Sequence, residues 1–105
     1  MITPERAAQI LETTTEKQCR LVMTDGFRVC ALGALHKAEG AKIQRDLGTG
    51  KYVLFYSGER ATGVPILMDT VLIEYIVYWN DTEKLTFPEI SGRIRQYQLE
   101  GGPRS

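Results

Sequence analysis

Histidine occurs once in this chain, tryptophan once and cysteine twice, and its positive and negative charges cancel. Each scarcity excludes something. A structural zinc site needs four ligands at defined spacing, and Cys19, Cys30 and His36 form neither a C-x-x-C nor an H-x-x-x-H pair, so no metal or cofactor is expected. Thirteen Lys and Arg against thirteen Asp and Glu leave no positive excess to neutralise phosphates, which argues against nucleic acid as a partner. No stretch reaches the roughly 18 uninterrupted apolar residues of a membrane span. The longest apolar region, VPILMDTVLIEYIVYW, is broken by Asp69, Thr70 and Glu74. The opening MITPERAAQ lacks the apolar core of an export signal, so the expected setting is a cytoplasm that keeps both thiols reduced.

What is present suits a globular fold. With 105 residues, 43% of them hydrophobic and 25% charged, the chain can bury a core without covalent staples. We expect one domain over 1–100 and a flexible tail over 101–105, in an α+β class that is mostly helical. About four helices, a β-hairpin and one further strand are expected.

The opening ITPERAAQILETTT predicts an amphipathic helix with Thr3 as N-cap and Pro4 at the first position, Ala7, Ile10, Leu11 and Thr14 sharing a face. CRLVMTDGFRV predicts a hairpin about the loop Thr24-Asp25-Gly26. That register gathers Cys19, Leu21, Met23, Phe27 and Val29 on one face and turns Cys30 away from Cys19. Cys30–Glu39 predicts a helix with Ala31, Ala34, Leu35 and Ala38 packed against the first or last helix. Gly33, His36 and Lys37 then look outward, and Gly40 is the left-handed terminator. IQRDL suggests a helical turn, GTGK a plain turn, KYVLFYSG a strand, and ERATG a mobile loop. Residues 66–79 predict a helix buried on most sides and stopped by a left-handed Asn80, with Asp81 capping the next turn. Thr86-x-x-Glu89 is a capping box, with Leu85 and Ile90 placed as its staple. It opens a last helix whose stripe is Phe87, Ile90, Ile94 and Tyr97.

DGFRVCALGAL, followed by YWNDTEKLTFPEI, resembles a bacterial and phage family of small domains of unknown function. The pattern is a Cys-Ala-Leu-Gly-Ala-Leu signature after a Gly-containing turn, here Gly26 and Cys30–Leu35. A Trp-Asn-Asp segment follows, here Trp79-Asn80-Asp81, and leads into a Thr-capped terminal helix, here Thr86–Ile90. The resemblance implies a small, mostly helical domain and a helix over 66–79, and it implies no activity. It lapses over residues 40–64, which read as this chain's own insertion.

The chemistry offered by these residues is limited. Cys30 at a helix N-terminus completes no catalytic triad, because His36 lies six residues along the same helix, about 600° of rotation and about 9 Å of rise away. No catalytic residue is assigned. Gly33 invites close approach of either a backbone or a ligand. Two functions follow as expectations. The first is a non-enzymatic protein-interaction module that binds a protein partner or a second copy through Tyr52, Phe55 and Tyr56, since interfaces favour aromatic residues. The second is a small-molecule binder or minor enzyme with a pocket between the Gly33/His36 helix face and the Asn80-Asp81 turn, in which Cys30 could also take part.

Overall fold

The protein is described by a computed structural model covering residues 1–101; the expected tail beyond Gly101 lies outside the described residues. Four helices and a three-stranded antiparallel sheet make it α+β. The elements are α1 (Pro4–Thr13), α2 (Ala31–Ala38), β1 (Lys42–Arg45), β2 (Tyr52–Tyr56), β3 (Glu59–Arg60), α3 (Thr70–Asp81) and α4 (Phe87–Leu99). A 3-10 turn, Ala61–Gly63, follows β3. No described helix is long and apolar enough to cross a membrane.

The capping signals act as the sequence predicts. Thr3 Oγ1 accepts the Arg6 N–H, and Thr86 and Glu89 close a reciprocal capping box. Phe87, Ile90, Ile94 and Tyr97 bury one face of α4 against α1, which contributes Ala7, Ala8, Ile10 and Leu11. On the rim of that contact Arg95 reaches both Glu5 and Glu12. The Arg95 guanidinium, then the Ser91 hydroxyl, hold the Glu12 carboxyl down to about 2.

The hairpin sits elsewhere than expected. Residues 19–29 form no strand pair; β1 and β2 do, with Arg45 opposite Tyr52 and Lys42 opposite Phe55. Between 24 and 28 one main-chain bond crosses, from the Asp25 N–H to the Arg28 carbonyl, and side-chain bonds supply the rest. Asp25 Oδ1 accepts the N–H groups of Phe27 and Arg28, and Thr24 Oγ1 accepts from Gly26 and donates to the Arg28 carbonyl. Leu21 is left-handed, φ 71°, which no strand accommodates. Val29 instead bridges Gln18 in parallel and Thr24 antiparallel. The side chains of Leu21 and Phe27 consequently stand in solvent rather than on a buried face.

Ile43, Gln44 and Arg45 of the expected helical turn IQRDL belong to strand β1, and Asp46 and Leu47 follow it. The expected mobile loop ERATG is β3 plus the 3-10 turn, with Ala61 wholly buried. Residues 66–79 are helical only from Thr70, because Asp69 supplies the cap by accepting the Leu72 N–H. The preceding Ile66 and Leu67 are tied to Ile2, whose N–H donates to the Ile66 carbonyl. Nor is α3 buried on most sides: Leu72, Ile76, Trp79 and Asn80 are, while Val71, Tyr75, Val77 and Tyr78 are exposed.

Helix α2 also packs differently. Ala38 is exposed, and Gly33 and His36, expected to look outward, are buried. A Cβ at Gly33 would lie 2.5 Å from the Met23 carbonyl oxygen and 3.0 Å from Val29 Cβ. Glycine is therefore required by close backbone approach. Gly33→Ala should lower unfolding free energy by about 1–3 kcal/mol despite alanine's better helix propensity. A Cβ at Gly92 in α4 would meet nothing within 4 Å, so Gly92→Ala should gain up to about 1 kcal/mol. Paired urea titrations read the two opposite signs.

Candidate functional site

The residues that the sequence nominates fall into two groups. Asn80 and Asp81 form the first. Asn80 is helical and buried rather than a left-handed stop; the left-handed residue after α3 is Lys84, φ 56°. The Asn80 carboxamide is fully engaged. Its Oδ1 accepts Gln18 Nε2 at 2.8 Å and the Ala31 N–H at 3.1 Å, and its Nδ2 donates to the Cys19 carbonyl at 3.0 Å and to Asp81 Oδ1 at 2.7 Å. Asp81 Oδ1 also accepts the Leu21 N–H, instead of capping the turn that follows α3. Asn80 thus satisfies an orphan amide at the start of α2 and anchors residues 18–21.

His36 belongs to the second group. Its Nδ1 lies 2.8 Å from Tyr56 Oη, with the two rings edge to face, and burial pushes its pKa below the ordinary value. It borders a cavity of about 440 Å³ with Leu32, Pro65 and Ile73, whereas Asn80 and Asp81 face residues 18–21 and the start of α2. Among the described residues the two groups therefore do not line the same cavity. Cys30 is the N-cap of α2, its sulfur accepting the Gly33 N–H, and burial raises its thiol to about 11. A thiol so held is protonated at neutral pH and is a poor nucleophile.

The three aromatic residues of β2 are divided by the strand's period of two. Tyr52 and Tyr56 face the body of the molecule with Leu54: Tyr52 covers Gly26, Leu54 meets Gly33 and Tyr56 meets His36. Phe55 lies on the other face, half-buried under the Arg60 guanidinium.

A third feature is one that the sequence does not nominate. Between residues 22–25 and β2 lies a cleft of about 520 Å³, with Val22, Met23, Tyr52 and Leu54 among its walls and Lys51 and Arg60 at its rim. Beside it the loop exposes Leu21 to 81%, Val22 to 51% and Phe27 to 84%. No family model, curated protein or solved structure matches this chain. The cleft and its loop therefore speak through geometry alone. The loop is firmly built: Asp25 bonds two backbone amides, Thr24 two further backbone groups, and the Cys30 N–H donates to the Met23 carbonyl. Those amides, Arg28 first and Phe27 next, hold the Asp25 carboxyl at about 2. Arg28 pairs with Asp25, and Arg60 with Asp46. Lys51 at the same rim has no ion-pair partner among the described residues. The sequence signal for this face is the Thr24-Asp25 pair, whose side chains favour an Asx-type turn over a ladder.

Two outcomes check these assignments. Asn80→Ala leaves the Ala31 amide and Cys19 carbonyl without their partner and should cost about 2–4 kcal/mol in urea unfolding. Because the His36 pKa is lowered in the folded state, the unfolded chain binds its proton more readily. His36 then contributes stability that is complete above the ordinary value of 6.5 and is lost as pH falls below it, with a slope of up to about 1.4 kcal/mol per pH unit. Glu12 and Asp25 titrate lower, from ordinary values of 4.5 and 3.8. Melting temperatures between pH 7 and pH 5 should fall in the native chain and fall less in His36→Gln.

Proposed function

We propose that this chain is a non-enzymatic protein-interaction module whose binding face is the loop from Leu21 to Phe27 together with the cleft beside β2. The observation that carries the reading is the exposure of three apolar side chains, Leu21, Val22 and Phe27, on one loop fixed by side-chain bonds. A loop that gains no burial from these side chains, yet holds them in water, is organised for contact with something else. The nearby cleft offers a pocket for an anchoring side chain, the arrangement in which interface energy concentrates. Tyr52, one of the aromatic residues expected at an interface, belongs to this face; Phe55 and Tyr56 lie outside it.

Membership of the small-domain family with the Cys30–Leu35 signature, and with it a bacterial or phage origin and a cytoplasmic setting, forms part of the same proposal. It rests on the signature and on the Trp79-Asn80-Asp81 segment.

Affinity capture from a bacterial lysate tests the module. Phe27→Ser and Leu21→Ser alter exposed side chains and should leave the melting temperature within about a degree of the parent, since surface changes of this kind rarely exceed about 0.5 kcal/mol. The double variant should lose the proteins that the parent retains. Retention of the same proteins by parent and double variant sinks the assignment of this face.

A further inference from the structure

We propose that the cleft takes an extended peptide segment as an added strand on β2, with an apolar side chain directed into the cavity and an acidic side chain set against Lys51. This rests on the interaction reading above and names the partner's chemistry. The main chain of β2 carries it. The Asp46 N–H donates to the Lys51 carbonyl at 2.7 Å, so Lys51, Val53 and Phe55 turn their backbone groups toward β1. Tyr52, Leu54 and Tyr56 therefore turn theirs to the opposite edge. There β3 covers β2 only at Phe55 and Tyr56, because the chain leaves the sheet at Ala61 for the 3-10 turn. Tyr52 is left with its N–H and C=O on an uncovered edge, at the wall of the cleft, and no other hydrogen bond reaches its main chain among the described residues.

A wall that offers a donor and an acceptor from one strand residue matches another strand. An apolar cavity of about 520 Å³ beside that edge then accepts the side chains that point one way from the added strand. Charge selects among occupants. Asp25 and Arg60 are already paired, so Lys51 is the rim charge still to be matched, and an acidic residue matches it. A second copy of this chain is a poor occupant: its outer strand β1, KIQR, would bring Lys42 and Arg45 toward Lys51 and Arg60.

Selection of a phage-displayed library of random heptapeptides on the full chain tests this. Enriched sequences should alternate apolar with other residues and carry Asp or Glu. A synthetic enriched peptide should protect the Tyr52 amide from hydrogen exchange, and Lys51→Glu should weaken its binding at least tenfold. N-methylation of the peptide at alternate backbone positions should abolish binding in one register and spare it in the other. An absence of enrichment, peptides that leave Tyr52 exchange unchanged, equal binding of both N-methylated forms, or a self-dimer protecting Tyr52 without peptide each overturns strand addition. If strand addition fails while the Leu21→Ser/Phe27→Ser double variant still loses its captured proteins, the interaction face stands without it. If peptides bind as expected while capture is unaffected by that variant, the loop is wrongly assigned and the cleft is not.

Discussion

The Asn80 carboxamide is the constraint on which the rest of the molecule depends. It is one buried side chain with four hydrogen bonds, reaching three separate segments: residues 18–19, the first turn of α2, and its own neighbour Asp81. Its two lone-pair directions and two N–H groups are all used, which is the full capacity of an amide. No other side-chain type offers two acceptor and two donor positions in that geometry. An aspartate would set a carboxylate against the Cys19 carbonyl and beside Asp81. The connection between α1 and α2 contains no regular helix or strand, so its position is fixed by such side-chain bonds together with the isolated bridges of Val29 to Gln18 and Thr24.

From that anchor the cleft and its exposed loop follow. Asp81 holds the Leu21 amide and allows the left-handed backbone there, which lifts Leu21 and Val22 away from the core. The chain then returns under Thr24 and Asp25, and the Met23 carbonyl comes close enough to α2 that only glycine fits at residue 33. The opposite wall is fixed to the same helix: Leu54 of β2 packs against Gly33 and Tyr56 of β2 meets His36. Helix α2 is thus a shared base for both walls of the cleft, although none of its own residues lines the cavity.

That arrangement explains how much of the molecule is legible in its sequence. The ends of α1, α2 and α4 are legible because caps act locally: Thr3, Gly40, Thr86 and Glu89 each bond or bend within a few residues of their own position. The segment from Cys19 to Val29 misleads because its alternation of apolar residues is a strand signal in isolation. Thr24 and Asp25 supply competing bonds, and Asn80, some sixty residues away in sequence, sets the rest. His36 and Gly33 read as solvent-facing for the same reason. Their cover, Tyr56, Leu54 and the Met23 carbonyl, comes from the sheet and the loop, neither of which the α2 sequence can report. The candidate site is less legible than the fold: of the residues that the sequence nominates for it, Tyr52 alone lines the cleft.

The cleft joins two parts of the chain of different character. One wall is the loop that leads into helix α2; the other is strand β2, reached after α2 through the hairpin with β1. If the signature existed to build a site of its own, its polar members would point into a cavity. Instead Cys30 caps a helix with a sulfur that burial keeps protonated, Gly33 makes room for a carbonyl, and Ala31 and Ala34 pack in the core. These are the demands of a mounting surface. A small, tightly packed helix lets the sheet dock at one side and a bonded loop at the other, so the cleft's chemistry resides in the strand and the loop. Variation in Tyr52, Lys51 or Phe27 can then change the surface of the cleft and loop without disturbing the Asn80 and Gly33 contacts that hold the walls apart.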